Sequence, residues 1–198
     1  MMKPLARSDL WSLEEYAEQR PAFRTRVLAH KKNRQVALGE NARLYFEDRL
    51  TIHYQIQEML RIERIFEAEG IAEELDAYNP LIPDGCNWKA TFMVEFPDID
   101  ERRSMLTRLV DIENRVWLRV GEGELIRPVA DEDLERSDDD KTSAVHFLRF
   151  ELTPEQATAL KGGARLSAGI DHENYTVDVD PVPDNVKASL VADLAPVT

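Results

Sequence analysis

Apolar side chains recur along this chain at two spacings, and the change from one to the other falls near its middle. Up to about residue 84 the spacing is helical. Ser8 and Asp9 followed by Leu10, Leu13 and Ala17 predict a capped first helix that Pro21 interrupts or ends, and a second helix runs over about 22–34. Val36 and Leu38, the turn residues Gly39, Glu40 and Asn41, then Leu44 and Phe46 predict a small hairpin. A long helix over about 48–68 follows, with Gly70 as its stop, and a short one over 72–77 closes against Asn79, Pro80 and Pro83.

Beyond Gly85 the period becomes two. Trp88, Ala90, Phe92, Val94 and Phe96 alternate with Lys89, Thr91, Met93 and Glu95, as a half-buried strand requires. A helix over about 101–112 and strands over 116–120, 125–129 and 143–152 come next. Thr153 and Pro154 then open a short helix that Gly162 and Gly163 end. Strands over 165–170 and 175–179 and a last helix over 184–194 complete the chain. The class predicted is α+β: a helical N-terminal half with a small hairpin, then a mainly antiparallel sheet with flanking helices. We expect one composite domain over 1–198, with a helical lobe of about 1–84 and a sheet lobe of about 85–198.

Composition narrows the function classes. No apolar run reaches the roughly eighteen residues of a membrane span. Lys and Arg number 25 against 38 Asp and Glu, a formal charge of -13, which argues against a nucleic-acid partner. The charge is uneven: residues 1–34 hold eight basic and four acidic side chains, net +4, leaving -17 for the rest. Between Asp131 and Lys141 seven of eleven residues are acidic, including Asp138, Asp139 and Asp140, which predicts an extended, solvated loop. The first residues lack the apolar stretch of a signal peptide, so a cytoplasmic location is expected. The one cysteine, Cys86, excludes an internal disulfide and any multi-cysteine metal site, and reads as a small packing residue beside the first long strand.

Cofactor motifs are missing from the sequence. Gly121 and Gly123 lack the third glycine or the Lys-Ser/Thr pair of a phosphate cradle. No glutamate has a histidine three residues on, the four histidines are scattered at 30, 53, 146 and 172, and the acidic stretch contains no glycine. Haem, flavin, nucleotide and iron–sulfur signatures are all lacking, leaving a single divalent metal as the cofactor to consider.

Candidate chemistry therefore rests on polar residues that fall on apolar stripes. At about 100° per residue, Ile52, Ile56, Met59, Ile62 and Phe66 share one helical face, and Glu63 lands within it. A carboxylate buried there needs a partner. Phe23 and Val27 define a stripe that continues through His30 and Arg34, so a His30, Arg34 and Glu63 cluster is expected where the two helices pack. On the strand over 143–152, His146 shares a face with Leu148, Phe150 and Leu152, while Arg149 lies among apolar neighbours with Glu95 as a candidate partner. His172 lies in an exposed turn. His30, Glu63, His146 and His172 form the pool from which metal ligands would come. A buried ion-pair network without chemistry is the simpler explanation of these residues.

Six runs give the chain its individuality: HKKNR at 30–34, Phe46-Glu47, YQIQEMLRIE at 54–63, YNPLIP at 78–83, TFMVE at 91–95 and VHFLRF at 145–150. Together they resemble an uncharacterised bacterial family, the domain of unknown function 3501, over nearly the whole chain. The family has no assigned activity, so the resemblance carries over no catalytic residue. It implies context: members are often encoded beside rubrerythrin-like and iron–sulfur redox proteins. Three functions are then expected: an accessory or binding protein with a protein partner in an iron or redox system; a metal-binding protein or metal-dependent enzyme using His30, Glu63 and other histidines; and a purely structural interaction domain.

Overall fold

The computed structural model describes residues 3–134, 136–138 and 140–196. Helix α1 (Leu13–Lys31) leads into a hairpin of β1 (Gln35–Ala37) and β2 (Ala42–Phe46), then α2 (Arg49–Glu63) and α3 (Ala68–Tyr78). The second half contains β3 (Asn87–Val94), α4 (Ile99–Arg108), α5 (Ile112–Arg115), β4 (Val116–Val120), β5 (Leu125–Ile126), β6 (Val129–Ala130) and β7 (Val145–Glu151). It ends with α6 (Pro154–Lys161), β8 (Leu166–His172), β9 (Tyr175–Val179) and α7 (Asp184–Val191). Two antiparallel sheets result, one in the order β1-β2-β3-β7-β6 and the other β5-β4-β8-β9. The class is α+β.

The period-two pattern explains how the sheets are used. Trp88, Ala90, Phe92 and Val94 point to one side of β3, and with Leu148 and Phe150 of β7 they join Leu118, Ala168 and Ile170 of the second sheet in one apolar core. Val186 and Leu190 of α7 close that core, and the Trp88 indole N–H donates to the Leu190 carbonyl at 2.8 Å. Within the second sheet a β-carbon on Gly169 would sit 2.3 Å from the Trp117 ring, so only glycine allows the indole to lie across the strand. Leu5, Leu10, Ile52, Ile56, Leu60, Ile71 and Leu75 form a separate core among the helices. The other face of the five-stranded sheet carries Tyr45, Thr91 and Phe147 side by side, and these residues are half-buried.

The predicted hairpin is present, with Val36 opposite Leu44. Several predicted boundaries differ, among them the helix over 101–112, which ends at Arg108 as α4 and is followed by the separate turn of α5. Pro21 neither ends nor interrupts its helix, because Tyr16 and Phe23 on either side of it pack against Trp11, His53 and Tyr54, and that burial outweighs one missing backbone bond. The cap is Ser12, not Ser8: its Oγ accepts the Glu15 N–H and the Glu15 carboxylate accepts the Ser12 N–H. The helix over 48–68 stops at Glu63, where Arg64 turns left-handed (φ 58°), and Gly70 lies inside α3 instead of ending α2. The strand over 125–129 divides, β5 joining one sheet and β6 the other on either side of Pro128. The acidic stretch is not extended either. Among its described residues Arg136 binds Asp133 and Asp131 and folds the loop over the end of β7; Glu135 and Asp139 lie outside the described residues.

Candidate functional site

His30 and Arg34 do converge, but on Asp48 and Asp193. Arg34, 2% exposed, follows α1 and donates to the carbonyls of Phe46 and Glu47 at 3.1 and 3.0 Å. Its guanidinium meets Asp193 at 2.5 Å and approaches Asp48 at 3.5 Å, and His30 Nε2 lies 2.5 Å from Asp48. Asp48 also caps α2 by accepting the N–H groups of Leu50 and Thr51. Burial pushes the Asp48 carboxyl up, yet Arg34, Thr51 and His30 outweigh it and hold it below its ordinary range. Burial prevails at Asp193, which is raised despite Arg34. The arrangement pins the C-terminal segment to the helical layer. Asp48 was legible as a helix cap; Asp193, 159 residues from Arg34, gave no local signal.

Glu63 is not part of this cluster. It is exposed at the end of α2, as are Ile62 (61%) and Phe66 (70%), because the left-handed Arg64 ends the helix before the stripe can continue inward. Arg149 pairs with Glu132 and Glu151 instead of Glu95, while Glu95 accepts the Tyr45 hydroxyl and approaches Arg43. Cross-strand register decides this, since Arg149 lies opposite Lys89. His172 is buried, not exposed: its Nε2–H donates to the Val110 carbonyl and its Nδ1 accepts the Asn174 N–H, so neither nitrogen is free. Cys86 is exposed in the turn before β3 and packs no core.

His146 sits at the heart of a polar network that the sequence did not reveal. Its Nδ1 is 2.6 Å from Asp131, and its Nε2 is 2.9 Å from the Thr142 hydroxyl and 3.0 Å from the Ser143 carbonyl. Ser137 donates to Glu113 and lies 2.8 Å from Thr142. Glu113, Asp131 and His146 each bring a donor atom within 4.8 Å of the others. The two carboxylates nevertheless lie on opposite sides of the ring, Asp131 at Nδ1 and Glu113 at 3.8 Å from Nε2. Asp131 already accepts the Phe147 N–H and Arg136, and Glu113 accepts two hydroxyls. A cation would have to displace these partners, and with His146 wholly buried the network fits best as a clasp between the acidic loop, α5 and β7.

A wide opening lies on the outer face of the five-stranded sheet. A cavity of about 540 Å³ separates Tyr45, Thr91, Met93 and Phe147 from Ile52, Gln55, Tyr78 and Leu81 of the helical layer, with Leu28 and Lys31 of α1 and Lys32 just beyond it at one end. A second cavity of about 600 Å³ shares Tyr78, Leu81 and Phe147 with it and continues toward Lys89 and Arg149. The first cavity is lined by all six distinctive runs: Lys31, Lys32 and Arg34 from the first, Phe46 and Glu47 from the second, Gln55, then Tyr78 and Leu81, then Thr91 and Met93, and Phe147. Glu47 lies in its wall as a carboxylate held by two hydroxyls, Thr91 donating to one oxygen and Thr51 to the other.

Comparison with known proteins agrees over the whole fold. A crystal structure of a novel protein of unknown function from Burkholderia pseudomallei K96243 is 51% identical, with a TM-score of 0.92 over 98% of this chain and 100% of that one. No curated protein matches. Residues 4–194 match the family model described as a protein of unknown function, DUF3501. Six separated runs, one shared groove and a match over almost every residue lead to one statement: this chain belongs to the DUF3501 family.

Proposed function

We propose that this protein binds a small organic ligand in the groove between the five-stranded sheet and helices α1 to α3. The observation that carries the reading is the groove itself, a concave space of about 540 Å³ walled by aromatic and apolar side chains with a few polar groups, assembled from six distant stretches of chain. Its size falls in the range of small-molecule sites. The His146 network is weaker support for a metal centre or a catalytic hydroxyl, because Thr142 and His146 are both inaccessible. The context implied by the family resemblance supports a cytoplasmic accessory role beside a redox system, with the ligand or a protein partner as the link.

The test is a fluorescence titration with 1-anilinonaphthalene-8-sulfonate, an apolar anion, against the natural protein and a Thr91→Trp variant that fills the groove. Saturable binding that weakens at least tenfold in the variant, with its circular dichroism unchanged, is the expected result. Equal binding by both proteins would overturn the reading.

A further inference from the structure

The groove is electrically two-ended. The cavity beside α1 is lined by Lys31, Lys32 and Arg34 against one carboxylate, Glu47. Arg34 is engaged by Asp193 and Asp48, which leaves Lys31 and Lys32 without an ion pair among the described residues. The adjoining cavity reverses the sign: Glu74, Asp76, Glu132 and Asp133 line it against Lys89 and Arg149. Glu132 and Asp133 are matched by Arg149 and Arg136, whereas Glu74 keeps a buried carboxylate oxygen with no hydrogen-bond partner. Burial and the neighbouring Glu63 and Glu73 push the Glu74 carboxyl up, the condition of a group short of a cation. Between the two ends the shared wall of Tyr78, Leu81 and Phe147 is apolar and aromatic.

Building on the reading of the groove as a ligand site, we infer that its occupant is a zwitterion of short-peptide length, carboxylate toward Lys31 and Lys32, ammonium toward Glu74 and Asp76, with an apolar side chain between. Along its sheet floor the groove crosses from Tyr45 of β2 over Thr91 of β3 to Phe147 of β7, two strand spacings or about 10 Å, a floor of the order of an extended tripeptide's length. Charge complementarity at both ends selects for the two free termini, and Phe147 and Tyr78 take the central side chain.

The experiment is calorimetric titration of the full chain with Ala-Leu-Ala bearing free termini, its N-acetylated form and its C-amidated form. Each block should weaken binding about tenfold or more. In a Lys31→Gln, Lys32→Gln variant the amidated and free peptides should bind alike; in a Glu74→Gln, Asp76→Asn variant the acetylated and free peptides should. Peptide binding that ignores either block, or no peptide binding while anilinonaphthalene sulfonate still fills the groove, overturns the inference and leaves the ligand site standing. Dye binding that ignores Thr91→Trp would overturn the site itself.

Discussion

Arg34 and Glu63 have nearly opposite environments although the sequence pairs them on facing stripes. Arg34 is enclosed with two carboxylates, so Arg34→Met should strand Asp193, leave Asp48 to His30 and the first N–H groups of α2, and cost about 3 to 5 kcal/mol in urea denaturation. Exposed Glu63→Ala should change stability by no more than about 0.5 kcal/mol. A third residue, Glu58, has no local sequence signal for its pairing: it accepts Arg20 through both oxygens at 2.7 and 2.9 Å and the Tyr16 hydroxyl at 2.6 Å. Arg20 above all, with Tyr16 and against some burial, holds the Glu58 carboxyl down at about 2, from an ordinary 4.5. A depressed carboxyl stabilises the fold above its unfolded value and ceases to do so as pH falls through its folded one. Glu58→Gln should therefore cost about 1 kcal/mol at neutral pH, since the pair keeps solvent contact. The gap between the two proteins should shrink below pH 4.5 and close near pH 2; a constant gap would contradict the pairing.

At the scale of elements, local signals succeed where the deciding groups are neighbours. The hairpin, the Thr153 and Pro154 start of α6 and the alternation of β3 are legible because turn residues, caps and pleat act within a few positions. The Ser12 and Glu15 capping box was equally readable and was obscured by Ser8 and Asp9 ahead of it. The end of α2 was not readable, because a left-handed arginine stands where glycine is usual. Arg64→Gly should accordingly leave the fold intact and raise stability by up to about 1 kcal/mol, relieving the β-carbon of a conformation disfavoured for L-residues. A loss of stability on thermal unfolding would mean that the Arg64 side chain holds the turn by itself. Pro21 inside α1 has the same lesson, since what overrides its local preference is an aromatic cluster with His53 and Tyr54 supplied by another helix.

For the whole molecule, the proposed binding groove depends on how two layers meet, which no single stretch encodes. The six runs could be recognised as distinctive, but only the fold brings them to one groove, because β2, β3 and β7 become neighbours through pairings that span up to 64 residues. The predicted histidine pool, by contrast, disperses: His30 binds Asp48, His146 sits in its own clasp, and His172 is held by backbone groups. We therefore propose ligand binding on the outer sheet face and a structural role for the His146 network. The most direct test is an amide ¹H–¹⁵N spectrum recorded during titration with anilinonaphthalene sulfonate. The account predicts shifts concentrated at Tyr45, Thr91, Met93 and Phe147, with Glu113 and Thr142 unmoved; shifts centred on Glu113, Thr142 and His146, with the groove silent, would contradict it.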